Sequence, residues 1–351
     1  MTEMTKSMAV FTGSVNPSLA DQVATELGTT LGNVKLEKFA NGEIYARYLD
    51  SVRGADVFII QSIAGEHIND ALMEMLIMID AAKRASARTI SAVVTHYGYS
   101  RQERKAAPRE PITAKLVADL ITVAGADDII THRSASGRNS GFLRHSGEPY
   151  DRHADFRGLF QEQGHRSRRN VASYLPDVGR AKAAKKFQGQ LGCDIAIMHK
   201  DRPKHNQAEI TALIGDVTGK VCILNDDMID TGGSLVAAAE TLMSKGAKKV
   251  YACATHGLFS GPAYDRIQNS CIEEVVVTNA VPRAVRSPNR QDSRALGCSS
   301  SGAHHSERVQ QRLCEQAVQQ VARNIQCILF AAWAIQAKNT SIRGITPASI
   351  R

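Results

Sequence analysis

The chain has 351 residues, 43% of them hydrophobic, and a net charge of +8, enough to bury a large core and to build two domains. No apolar run is long enough to span a bilayer, the opening MTEMTKSMAVF lacks a signal-peptide pattern, and the 7 Cys show no metal-like spacing. These features argue against a membrane protein and a disulfide framework, and imply a reducing cytoplasm. The positive charge does not call for a nucleic-acid partner, because it is local: residues 132–174 carry about +4 and residues 283–351 about +7, which leaves about −3 for the rest.

Residues 8–13 read as a first strand, and Pro17 with Ser18 precedes a helix expected to run through Leu27. Phe39, Ala40, Asn41, Gly42 and Glu43 form a turn between extended stretches, and residues 57–63 form a strand. Asn69 is placed to cap a helix whose apolar positions Leu72, Met75, Leu76 and Ile79 fall at helical spacing. The methionines there read as core rather than as a ligand box. Residues 89–97 form the next strand, with His96 at its end as a structural or rim residue. The strand runs into Gly98, Tyr99, Ser100, Arg101, Gln102, Glu103, Arg104 and Lys105. Such a loop is either a solvated charge run or a ligand loop beyond a strand's carboxyl end. A helix is expected over 111–123 and a strand over 128–131.

The second half repeats this plan, with strands over 194–199, 220–226, 248–255 and 274–278 and helices near 181–191 and 234–245. Strands alternating with helices predict an α/β fold with mostly parallel sheets. Its centre is VCILNDDMIDTGGSL, residues 221–235. A buried strand leads to the acid pair Asp226 and Asp227. Then come Asp230, Thr231, Gly232, Gly233 and Ser234, and a helix opens at Leu235. A Gly-rich turn at a helix start offers bare N–H groups and the positive end of the helix dipole, which suits a phosphate. Two adjacent carboxylates suit ribose hydroxyls or a Mg²⁺ carried by the substrate.

This segment resembles the phosphoribosyl-pyrophosphate (PRPP) loop of type I phosphoribosyltransferase folds. With FANGEIYARYLDSVRGADVFIIQS, NDALMEMLIMIDAAKRASARTISAVV and YGYSRQERKAAPREPITAKLVADL, the chain resembles the ribose-phosphate pyrophosphokinase (PRPP synthetase) family over about residues 8–131 and 176–281. The resemblance implies two tandem type I phosphoribosyltransferase-like domains, over 1–150 and 151–282, followed by an aberrant tail over 283–351. It implies transfer of diphosphate from Mg-ATP to the 1-hydroxyl of ribose 5-phosphate, giving PRPP and AMP. By the same resemblance Lys200 is the catalytic lysine, on a mobile loop after a strand. Arg202, Asp226, Asp227, Asp230, Thr231, Gly232, Gly233 and Ser234 would hold ribose 5-phosphate. Asn41, Gly42, Glu43, Arg101 and Gln102 match ATP-binding positions, and Phe39 either flanks the adenine or packs the turn. Asn41 stands where the family usually has Asp, and Asp201 where it commonly has a basic residue. The metal would be Mg²⁺, held by Asp177 and by the His of an Asp-Leu-His strand. That His is absent: about Ala135 stands in its place, and His132 sits at the wrong offset. The family also implies a cytoplasmic homo-oligomer, often a hexamer, with no nucleic-acid or membrane partner. Intact Lys200 and Arg202 favour an enzyme over a non-catalytic associated subunit or a pseudogene product, and the missing His favours the converse.

Residues 132–174 and 283–314 carry no periodicity and are rich in Arg, Ser, His and Gly, as in a divergent or disordered insertion. Written as codons and read one base later, HRSASGRNSGFLRHS from His132 gives Thr-Asp-Leu-His-Gln-Ala-Glu-Ile-Gln-Gly-Phe-Phe-Asp-Ile. HHSERVQQRLCEQAV from His304 shifts to Thr-Ile-Arg-Asn-Val-Phe-Asn-Asn-Asp-Ser-Val-Ser-Lys-Leu. Both strings resemble the family. The reading frame is therefore expected to shift near Thr131, to recover before Pro176 and to shift again near Pro282. The two segments should then lack a sheet partner, and they overlap regions that would form subunit contacts.

Overall fold

The computed structural model describes residues 8–105, 107–131, 171–175, 194–204 and 207–282. Two units divide the chain, with the described residues of the first ending at Thr131 and those of the second beginning at Val171. The first unit contains, in chain order, β1 (Met8–Thr12), α1 (Pro17–Glu26), β2 (Val34–Lys38), β3 (Ile44–Tyr48), β4 (Asp56–Gln61), α2 (Ile68–Arg84), β5 (Thr89–Val94), α3 (Thr113–Ala124) and β6 (Asp128–Thr131). Strands β1, β4, β5 and β6 lie in that order and pair in parallel. All of β4 is buried, as expected of a strand with both sheet faces covered. Val57 and Ile59 face the layer of α2 and α3, with Met75, Met78, Ile79, Val117 and Ile121. Phe58 and Ile60 face α1, with Leu19, Ala20 and Val23. Each such fully buried side chain is worth about 1.5–3 kcal/mol of transfer free energy.

Two buried carboxylates of this unit, Asp56 and Glu74, are held by hydrogen bonds. Asp56 is 1% exposed and accepts from Arg88 Nε at 2.8 Å, from a second Arg88 nitrogen, and from Thr89 Oγ1 at 2.6 Å. Glu74, on α2, accepts from Ser14 N–H and from Gln61 Nε2, both at 2.7 Å. The turn after β1 is thereby tied to the helix. Gly13 fits there because a Cβ would stand 2.4 Å from Gln61 Cδ.

Two expectations are corrected here. Helix α2 starts at Ile68 with His67 as its N-cap and no side-chain cap; Asn69 does not cap it, because its Oδ1 accepts from the Tyr99 hydroxyl. The strand expected over 89–97 leaves the ladder at Val94, and His96 is buried, so the structural alternative for that residue holds. Leu72, Met75, Leu76 and Ile79 do face the core.

The second unit contains β7 (Val171–Leu175), β8 (Asp194–Lys204), β9 (Gln207–Ile214), β10 (Val221–Ile229), α4 (Gly233–Ser244), β11 (Lys249–Gly257), α5 (Ala263–Gln268) and β12 (Ile272–Val277). The sheet order is β12-β11-β10-β7-β8-β9, parallel except for the antiparallel β8–β9 pair. Its core joins Cys222, Leu224, Ala252 and Ala254 to Leu235, Ala239 and Leu242 of α4. Strand β7 corrects the expectation that residues 132–174 lack a sheet partner: Val171–Tyr174 pair with Val221–Leu224 on one side, and Ala172–Leu175 with Asp194–Ile197 on the other. The segment's composition hid a short β-prone end. The helix expected near 181–191 lies outside the described residues.

Burial pushes the Cys222 thiol up to about 11 from an ordinary 9.0. Native Cys222 should therefore resist alkylation at pH 8, read by mass spectrometry, since the thiolate is the nucleophile. The unfolded chain loses this proton near pH 9 and the folded chain later. This contribution to stability is intact below pH 9 and is lost as pH rises toward 11. Cys222→Ala should remove that part of the loss in urea titrations.

Candidate functional site

The described residues that match a phosphate site gather at the end of β10. Sheet order reverses between β7 and β10, and in open α/β sheets such a reversal opens a crevice at the strands' carboxyl ends. Strand β10 enters it with Val221–Asn225 buried and Asp226, Asp227 and Met228 half-buried. It does not stop at the acid pair, as expected, but runs on to Ile229 because the ladder continues to Met228↔His256 and Ile229↔Gly257. Asp226 Oδ1 accepts the N–H of Asp227 at 2.8 Å, which fixes that carboxylate at the mouth of the crevice.

Asp230, Thr231 and Gly232 then turn the chain into α4. Gly232 is the N-cap, with φ 74° and ψ −12°, a left-handed conformation that an L side chain adopts at a cost. No side chain caps α4. The first-turn N–H groups of a helix lack intrahelical partners, and without a cap they suit an anion. Asp226, Asp227, Asp230, Thr231, Gly232, Gly233 and Ser234 thus form one continuous strand–turn–helix mouth.

Lys200 and Arg202 lie on β8. Sequence reasoning expects a mobile loop beyond a strand ending at 199. The backbone instead continues as a hairpin arm, with Lys200↔Ile210 and Asp201↔Glu209 across from β9. Register shifts at His199/Lys200 and Asp201/Lys204 interrupt the pairing, and the charged run carries no apolar alternation by which to read a strand. Asp177 lies outside the described residues, as do His132 and Ala135.

The nucleotide-side candidates belong to the first unit. Phe39–Glu43 close the β2–β3 hairpin, with Phe39 N–H on the Glu43 carbonyl and Gly42 N–H on the Phe39 carbonyl, each at 2.8 Å. Asn41 Oδ1 accepts Glu43 N–H at 3.2 Å, an Asx-type turn that Gly42 completes at φ 91°. Phe39 is 54% exposed, and its ring stands 5.8 Å from that of Tyr45. The hairpin base reaches α2 through Lys38 Nζ, 2.6 Å from Asp70 Oδ2, and this hydrogen bond holds the Asp70 carboxyl below its ordinary range. The loop after β5 meets the same helix start through Tyr99 and Asn69. Arg101 and Gln102 follow on that loop. The Gln102 side chain accepts from Thr113 Oγ1, and its carbonyl accepts Ala114 N–H at 3.2 Å, so Gln102 also braces the start of α3.

Sequence reasoning missed Arg266, whose Nη1 donates to the Thr231 carbonyl at 3.1 Å. It sits on α5, a six-residue helix too short to show periodicity. The only local signal is Gly261-Pro262 just before the helix. Among the described residues no group of three His, Cys, Asp or Glu is placed to hold a metal ion, and no helix is long and apolar enough to cross a membrane.

Comparison with known proteins bears on both units. Residues 8–125 match the family model for the N-terminal domain of ribose phosphate pyrophosphokinase. Residues 194–310 match the phosphoribosyl synthetase-associated domain, a match that runs past residue 281, where the resemblance was expected to end. The chain is 47% identical over 281 residues to a ribose-phosphate pyrophosphokinase of Clostridium perfringens, covering 80% of this chain and 88% of the relative. It is 46% identical over 287 residues to one of Streptomyces coelicolor, covering 80% and 86%. A solved phosphoribosylpyrophosphate synthetase from Mycobacterium smegmatis superposes with a TM-score of 0.70 at 38% identity, over 87% of this chain and 98% of that one. The parallel sheets flanked by helices are thus phosphoribosyltransferase-like, as the motifs implied. By identity, coverage and fold alike, the chain belongs to the ribose-phosphate pyrophosphokinase family.

Proposed function

We propose that the chain is a ribose-phosphate diphosphokinase that transfers diphosphate from Mg-ATP to ribose 5-phosphate. The supporting observation is the uncapped, left-handed Gly232 entry to α4 directly after an acid pair at the sheet's order reversal. The N–H groups of the Thr231–Ser234 turn would take the 5-phosphate, and Asp226 and Asp227 the ribose hydroxyls. The C1 hydroxyl oxygen bonds to the β-phosphorus of ATP and releases its proton. The bond from that phosphorus to the α–β bridging oxygen breaks, and the bridging oxygen leaves with AMP. Catalysis of this kind is mainly positioning and charge neutralisation. Lys200 would offset charge on the transferring phosphates, and Arg202 would meet the 5-phosphate. Phe39, Asn41, Gly42, Glu43, Arg101 and Gln102 would bind ATP. Mg²⁺ bound with the nucleotide would neutralise phosphate charge, and one or two protein carboxylates would hold it. Asp226 and Asp227 fit that need, and Asp177 is the further candidate. The work is expected in the cytoplasm.

Lacking the Asp-Leu-His strand, this chain should turn over slowly. AMP release that depends on ribose 5-phosphate should be detectable. It should rise about tenfold or more when residues 132–146 are recoded in the alternative frame, which supplies the His. Equal rates in the two chains would refute the impairment. No AMP release from either chain would sink the enzyme reading and favour a non-catalytic subunit.

A further inference from the structure

The proposed reaction leaves unused the segment behind the phosphate turn. After β11 the chain folds back across the end of β10. The N–H groups of Leu258 and Phe259 reach the Ile229 carbonyl at 2.8 and 3.1 Å, and Ser260 N–H reaches the Asp230 carbonyl at 3.0 Å. Arg266 Nη1 then reaches the Thr231 carbonyl at 3.1 Å. Three consecutive carbonyls are thus held by one segment, and the last of them by a side chain. The same segment closes on the glycines. A Cβ on Gly232 would meet Ile267 Cγ1 at 3.4 Å and the Ala263 carbonyl at 3.5 Å, and one on Gly233 would meet Arg266 Nη1 at 3.5 Å.

In a trans peptide the C=O and the following N–H point opposite ways. Holding the carbonyls of Ile229, Asp230 and Thr231 to the rear therefore turns the N–H groups of Asp230, Thr231 and Gly232 away from that segment. Successive N–H groups aimed outward form an anion cradle. A guanidinium behind the last peptide also polarises it, since hydrogen bonds from charged donors are the strong ones.

We infer that Arg266 is a positioning residue for the ribose 5-phosphate turn, acting through the Thr231 carbonyl to keep the Gly232 peptide aimed at the phosphate. The inference rests on the proposed reading of that turn. Arg266 touches no reacting atom in this scheme. Its loss should show in sugar-phosphate affinity and not in nucleotide affinity.

The test uses the full chain with Arg266→Met and Arg266→Lys. Calorimetry should show ribose 5-phosphate binding weakened about tenfold in R266M, with AMP binding unchanged within about twofold. R266K, which restores a charged donor, should recover about threefold. Hydrogen exchange without ligand reads the brace by itself. The amides of Val236 and Ser260, whose acceptors are the Gly232 and Asp230 carbonyls, should exchange about tenfold faster in R266M. Unchanged exchange and wild-type affinity in R266M would overturn the inference. Equal losses for sugar phosphate and AMP, or no recovery in R266K, would also overturn it, by showing a general packing role. If the unaltered chain does not bind ribose 5-phosphate, the proposed reaction falls, and with it the ligand named here. Unchanged exchange beside normal wild-type binding overturns the brace alone.

Discussion

Gly232→Val should cost the chain about 100-fold or more in ribose 5-phosphate affinity, about 2.8 kcal/mol, while both units stay folded. At φ 74° any L side chain is strained by about 1–2 kcal/mol, and a β-branched one by more. A Cβ there reaches only ordinary contact with Ile267 and Ala263, so the strain lies in the backbone. The cheapest relief is to rotate the 231–232 peptide, which redirects the N–H proposed to face the phosphate. Gly233→Ala is the informative contrast. It is the first helical residue, its φ lies outside the left-handed range, and its new methyl group would stand 3.5 Å from Arg266, an ordinary contact. It should lose only about threefold. Calorimetry on both variants decides the matter, and equal losses would mean that backbone handedness at 232 does not organise the site.

The second large effect is on stability. Phe58 is 0% exposed, lies between Val10 of β1 and Ser91 of β5, and packs on Leu19, Val23 and Ile130. Phe58→Ala should remove about 3–5 kcal/mol, because strands on both sides limit collapse into the cavity. Against a typical total of about 5–15 kcal/mol, that is a large share. Amides of Val57–Ile60 should exchange about 100-fold faster or more. A change under about threefold would mean that the layer between β4 and α1 repacks around the loss.

Which parts of this were readable from the sequence follows from how each residue is buried. Asp56–Gln61 shows itself because both sheet faces demand apolar side chains. Gly232 and the start of α4 show themselves because a left-handed N-cap between a buried strand and a helix calls for glycine. Strand β7 stays hidden because five residues in a basic, Ser-rich stretch carry too few alternations to register, and only pairing with β8 and β10 makes them a strand. The extension of β8 through Lys200 and Arg202 is hidden for a related reason: main-chain bonds to β9, not apolar faces, define it. Asn69 misleads because a residue suited to capping found a different partner in Tyr99. Arg266 is unreadable locally, since its partner lies 35 positions away.

The reversed strand order of the second unit also sets a timetable at the ribosome. In the first unit β1, β4, β5 and β6 leave the tunnel in the order in which they lie side by side, so each strand of that sheet docks on one already placed. In the second unit β7 can join β8 and β9 early, but its other edge waits for β10, which begins at Val221, about 50 residues after Val171. At about 5–20 residues per second that edge is open for roughly 3–10 s of synthesis. For that interval the nascent chain presents a bare row of backbone donors and acceptors, the form that trigger-type chaperones or a neighbouring nascent chain would capture.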